Sequence, residues 1–195
     1  IKSYKQAIRI NPDDAEAHYN LGVAHGKLGM YKEEIESYKQ AIRIDPDLAM
    51  AHFNLGNTHG KLGMYKEAIK SYKQAIRIDP DLALAHNNLG YTYCELGKHE
   101  EAIESYKQAI RIDPDLALAH YDLGRAYRKS GKYQEAIKSY KQAIRINPDD
   151  AEAHFFLGYT YYVYLNDRDS ALVQYEILKS LDTEWANRLF NEIYK

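Results

Sequence analysis

The chain has 195 residues, 45% of them hydrophobic, with 26 basic and 28 acidic side chains and a formal net charge of −2. Such a balance gives no long-range attraction toward nucleic acid or an anionic membrane, so neither is expected as a partner. The single Cys94 excludes an internal disulfide, no apolar run approaches the roughly 18 residues that span a bilayer, and no signal-peptide layout opens the sequence, so a cytoplasmic setting is expected.

The first element ends in SYKQAIRI, Ser3 to Ile10, and the same octapeptide returns at Ser37, Ser71, Ser105 and Ser139, each 34 residues after the last. Ile1 corresponds to Ile35 one period later, so the sequence opens mid-pattern. Residues 1–12 therefore read as the second helix of a truncated repeat, with any targeting signal lying upstream. Pro12, Pro46, Pro80, Pro114 and Pro148 keep the same step. Between the first two lie a predicted helix over 15–28, stopped by Gly29, and another over 31–44, which sets Ile35, Tyr38, Ala41 and Ile42 on one stripe before Asp45-Pro46 ends it. Gly63, Gly97 and Gly131 repeat the stop. Helices of this length are marginal in isolation, so stacking on neighbours must hold them.

The fifth copy is irregular. Leu165-Asn166 stands where glycine is expected, Ala171 and Tyr175 fall one residue late, and Thr183 replaces the proline. This spacing predicts a single inserted residue between its helices. A final amphipathic segment, with Ala186, Leu189, Phe190 and Ile193 on one stripe behind Asp182 and Thr183, reads as an end helix over residues 184–195.

The unit Leu21-Gly22, His25, Gly29, Tyr31, Ile35, Tyr38, Ala41, Pro46 resembles the tetratricopeptide repeat, with five full repeats across residues 15–184. The resemblance implies an all-α, right-handed superhelical solenoid of antiparallel helix pairs, one continuous array whose last apolar face is covered by the end helix. It also implies that first helices line a concave groove. One departure stands out: His18, His52, His86, His120 and His154 occupy the position where the family carries a large aromatic.

On the first helix, Ala17, Leu21, Gly22, Ala24, His25 and Leu28 share a small or apolar arc expected to pack. The other arc is where the copies differ. Tyr19, Phe53, Asn87, Tyr121 and Phe155 share one position, and Val23, Asn57, Tyr91, Arg125 and Tyr159 another. Asn20, Asn54 and Asn88 form a ladder interrupted by Asp122 and Phe156. An Asn amide offers both a donor and an acceptor, which suits pairing with the backbone of an extended peptide, while bare solvation is the plainer reading. Arg125, Arg128 and Lys129 make a local cation patch suited to an acidic side chain. Phe155, Phe156, Tyr159, Tyr162 and Val163 make the fifth copy's arc apolar, either an anchor for a partner or a surface covered by Trp185 or Phe190 of the chain's own tail.

A second family mode, a Lys-Asn-Asn-Lys-Arg grip on a C-terminal carboxylate, is not met: Tyr19, Val23, Asn54, Leu84 and Asn88 stand at those positions, and one repeat later every cation is again absent. The histidines read as packing residues rather than metal ligands, because neighbouring helices about 8 to 10 Å apart do not bring one ring per repeat onto a shared zinc. No catalytic or cofactor motif appears, so neither an enzyme nor a cofactor is expected. The sequence points to a non-catalytic scaffold that takes a peptide segment of a partner protein. One alternative is self-association through the N-terminal face, and another is a regulatory or substrate-selecting region of a larger enzyme.

Overall fold

The computed structural model describes residues 1–195, all helix and turn, with no strand. The chain forms two compact units, Ile1–Leu96 and Gly97–Lys195. The first holds α1 (Lys2–Ile10), α2 (Ala15–Lys27), α3 (Tyr31–Ile44), α4 (Ala49–Lys61), α5 (Tyr65–Ile78) and α6 (Ala83–Glu95). The second holds α7 (His99–Ile112), α8 (Ala117–Lys129), α9 (Tyr133–Ile146), α10 (Ala151–Tyr159), α11 (Arg168–Leu181) and α12 (Thr183–Ile193). Within each unit every helix packs against the next.

The punctuation works as expected. Gly29, Gly63, Gly97 and Gly131 take φ between +69° and +75°, a left-handed conformation that side chains resist. At the first of these, the Met30 N–H reaches back to the His25 carbonyl at 3.0 Å and closes the helix end. At the other junction Asp45 turns the chain by accepting from the Asp47 N–H at 3.0 Å. Asp14 and Asp150 cap α2 and α10 by accepting from Ala17 and Ala153, whereas Leu48, Leu82 and Leu116 at the same position supply no side-chain cap. Leu28, expected in the packing arc, is 65% exposed. It has left the helix (φ −99°, ψ 4°), so helical phase no longer governs where it points.

Helix pairs are held by a ring against bare backbone. A Cβ placed on Gly22, Gly56 or Gly124 would lie 2.6–2.7 Å from the ring of Tyr38, Tyr72 or Tyr140, each at most 3% exposed. Ala41, Ala75, Ala109 and Ala143, fully buried one turn further on, complete this close approach. The repeated histidines serve the other end of the pair. Nε2 of His18, His52, His86, His120 and His154 lies 2.9–3.1 Å from the carbonyl of the proline six residues earlier. A carbonyl only accepts, so Nε2 carries the proton and ties the inter-repeat loop to its helix. This bond accounts for histidine at the family's aromatic position.

The inserted residue of the fifth repeat sits inside the first helix rather than between the helices. Residues Thr160–Tyr164 form a π-helical turn, which takes up one extra residue without breaking the helix. Asn166 then adopts φ 53° in place of the glycine. Gly158 faces Leu189 of α12 instead of a tyrosine, its absent Cβ only 2.6 Å from Leu189 Cδ2. Ala186, Leu189 and Ile193 of α12 are buried at 2% exposure or less.

Two outcomes follow. Gly56→Ala forces a methyl group into the Tyr72 ring and is expected to destabilise by about 1–3 kcal/mol despite alanine's better helix propensity. Gly60→Ala, whose nearest contact is 3.8 Å away, should be neutral or stabilising, and urea denaturation of both variants checks the contrast. His59 supplies the second. Burial, aided by Lys39, holds its imidazole below the ordinary 6.5. As pH falls below 6.5 the unfolded chain takes up a proton that the folded chain refuses. The stabilisation is present above that value and is lost as the pH falls through the folded pKa. His59→Tyr, which installs the residue found at Tyr93 and Tyr127, should lose less stability than wild type between about pH 7 and 5, measured by thermal melts.

Candidate functional site

In the first unit the variable arc is built from α2, α4 and α6. The aromatic position turns inward: Tyr19 lies 5.9 Å from Tyr38 and Phe53 lies 6.1 Å from Tyr72, both tilted onto the core tyrosines. Asn87 at the same position is 2% exposed. These three residues form the floor of the face, and buried Asn87, expected at the groove, offers no accessible contact. Tyr121 and Phe155, each 5% exposed, are corrected in the same way: Tyr121 covers the buried Tyr140 at 6.0 Å, and Phe155 is itself covered by Trp185 at 4.7 Å.

The asparagine ladder is half-buried and cross-linked. Asn54 Nδ2 donates to the Tyr19 hydroxyl at 3.1 Å, and Asn88 Nδ2 donates to Asn57 Oδ1 at 2.8 Å. The Tyr72 hydroxyl donates to the same Asn57 oxygen at 2.8 Å. Asn54 and Asn88 each spend one N–H on the preceding repeat, whereas the Asn57 oxygen accepts twice. Asn20 and Val23, on the first full repeat, are also half-buried. Asn57, Tyr65, Tyr72, Asn88 and Tyr91 surround a cleft of about 530 Å³, with Tyr91 44% exposed at its side.

Tyr65 and Glu34 are additions to the sequence-derived set. Tyr65 opens α5, and its hydroxyl donates to Glu95 at 3.3 Å. The recurring aromatic at this position, Tyr31, His99 and Tyr133, was the available signal. Glu34 is 5% exposed, with Oε2 lacking a hydrogen bond, in the hollow left by Gly26. The signal for it was the alanine at the same place in later repeats, Ala68, Ala102 and Ala136.

In the second unit the cation patch is largely committed. Arg125 pairs with buried Asp122 at 3.3 Å and sits over Tyr121 at 5.7 Å. Arg128 lies over Phe156 at 5.0 Å and Tyr159 at 5.8 Å, and its Nη1 donates to the Tyr164 hydroxyl at 3.4 Å. Lys129 alone of the three remains exposed. Burial pushes the nearby Tyr140 phenol up to about 12, so it stays neutral beside Arg128. The apolar arc of the fifth repeat is covered by the tail in part: Trp185 packs 4.7 Å from Phe155 and 6.3 Å from Phe156, while Val163 stays 42% exposed. Phe155 is therefore no partner anchor, whereas Tyr159 still faces open space at a second cleft.

A family model described as TPR repeat matches residues 1–29, 27–63, 61–97, 90–129 and 124–163, the last match ending inside the π-helical turn. No curated protein matches the chain. Among solved structures, a crystal structure of MamA is 26% identical with a TM-score of 0.80, over 86% of this chain and 97% of that one. YrrB, a TPR protein with an unusual peptide-binding site, is 22% identical with a TM-score of 0.79, over 96% and 97%. PilF of Pseudomonas aeruginosa is 22% identical with a TM-score of 0.83, over 97% and 86%. With the repeat matched along most of its length and its glycine, tyrosine and proline positions kept in the first four full repeats, this chain belongs to the tetratricopeptide repeat family.

Proposed function

We propose that the chain is a non-catalytic scaffold that binds an extended peptide segment of a partner protein on the faces of its first helices. The TPR fold implies protein partners, and no helix is long and apolar enough to cross a membrane. The observation that carries the reading is the Asn57–Asn88 cleft. Asn88 is fixed by its bond to the preceding repeat yet retains a carbonyl oxygen that can accept from a peptide backbone, while Asn57, whose oxygen takes the bonds from Asn88 and Tyr72, keeps amide N–H groups that can donate. Tyr65 and the exposed Tyr91 supply ring surfaces for the alternate side chains of an extended ligand. Asn20 and Asn54 extend the same chemistry along the first unit, while Val23 provides an apolar contact. A peptide-binding site in YrrB is consistent with this use of the fold.

Preorganisation gives this arrangement its worth. The amide planes are held before the ligand arrives, so a peptide's backbone bonds are formed without ordering the protein side chains. Each such bond contributes about 1 kcal/mol net, so affinity would come from several of them acting with ring contacts.

The test is selection of peptides from a displayed random library on the whole chain, followed by titration calorimetry of a selected sequence. Asn88→Ala is expected to weaken binding about 5- to 10-fold, and the Asn20, Asn54, Asn88 triple alanine variant more, with unchanged helical circular dichroism. Equal affinity of the wild type and the triple variant for every selected peptide would overturn the reading.

A further inference from the structure

The second unit carries a cleft of about 640 Å³ walled by Phe155, Phe156, Tyr159, Phe190 and Tyr194 and lined by two guanidinium groups, Arg128 of α8 and Arg188 of α12. Arg128 sits over Phe156 at 5.0 Å, and Arg188 over Trp185 at 4.1 Å and Phe155 at 5.2 Å. Phe155 and Phe156 themselves are 5.1 Å apart, so the two cations flank one pair of rings. Neither has a carboxylate partner. The ion pairs of this unit engage Lys98, Arg125, Lys179 and Lys195. Arg128 donates to the Tyr164 hydroxyl and lies beside the Tyr140 phenol, and its buried Nε has no hydrogen-bond partner.

A guanidinium held against ring faces is partly stripped of water but keeps its edge N–H groups, whose fixed fork matches a planar carboxylate. The remaining anion at the cleft, Glu192, is already paired with Lys195 at 3.0 Å. That pair is neutral and leaves both guanidinium forks to a guest, whose planar match is a single carboxylate. Beside the cations, Phe190 and Tyr194 stack at 4.4 Å and are 40% and 52% exposed, leaving apolar ring surface for the residue next to that carboxylate.

We propose that this cleft captures an Asp or Glu side chain of a partner peptide between Arg128 and Arg188, with a neighbouring aromatic or aliphatic residue lying on Phe190 and Tyr194. The site shares no residue with the Asn57–Asn88 cleft and stands or falls independently of it.

Trp185 is the only tryptophan of the chain and lies directly beneath Arg188, so its fluorescence reports on the site. Blocked peptides of Gly-Ser background carrying a central Phe-Glu or Phe-Gln pair are titrated into the full chain, with calorimetry as a second readout. The expected result is a saturable Trp185 change with Phe-Glu binding at least tenfold tighter than Phe-Gln. That preference should disappear in Arg188→Gln, whose charge is removed from an exposed side chain, and shrink in Arg128→Gln, with circular dichroism unchanged for Arg188→Gln. Four results would overturn the proposal: no response to the Phe-Glu peptide at millimolar concentration, equal affinity for both peptides, an undiminished preference in Arg188→Gln, or displacement of the peptide by inorganic phosphate at lower concentration than by acetate.

Discussion

The fold depends on how closely two helices of a pair can approach. Gly22, Gly56 and Gly124 leave bare backbone where the rings of Tyr38, Tyr72 and Tyr140 lie flat, and the buried alanine of the following turn keeps the gap small. Everything else is arranged around that contact. The second helix must present Tyr and Ala in a fixed register, which is why SYKQAIRI is copied with so little change. Variation is then concentrated on the opposite arc of the first helix, whose inner edge leans on the same tyrosine. A solenoid of this kind separates its duties by angle: one arc holds neighbours together and the other is free to differ.

Much of this was legible before any coordinates. Proline and glycine at a fixed step mark element boundaries because one cannot continue a helix and the other alone enters the left-handed region cheaply, and the observed ends of α2 and α3 fall within one residue of those expected. The candidate site was less legible. A helical wheel places Tyr19, Phe53 and Tyr121 at the margin between arcs, and which way a ring falls depends on the tyrosine of the partner helix, which the wheel does not contain. The ladder amides were expected to stand free. Their sideways bonds to Tyr19 and Asn57 come from residues on the adjacent repeat, at separations of 35 and 31 positions, invisible to local pattern.

The cationic side chains show the same limit from another direction. Arg125, Arg128 and Lys129 look equivalent on one helix, yet a single aspartate one turn away neutralises the first, aromatic rings from α10 hold the second, and only the third stays in water. Arg188, which faces the same cleft as Arg128, belongs to α12, a segment read in sequence only as a cover for the last apolar face. Its placement follows from Trp185 lying on Phe155, a contact made by tertiary packing alone.

The π-helical turn at Thr160–Tyr164 has a consequence for modular exchange. By absorbing one residue it moves Tyr175 out of the seat that Tyr38, Tyr72 and Tyr140 occupy in their own pairs, and Leu189 of α12 fills the hollow over Gly158 instead. Tyr175 settles against Phe190 at 5.6 Å, outside the helix pair it would otherwise clamp. The α10–α11 pair is thus not interchangeable with its predecessors. Shuffled to the middle of an engineered concatemer it would carry a seat occupied only by Gln174 unless α12 travelled with it, so the cassette to transplant runs as one piece from Ala151 to Ile193.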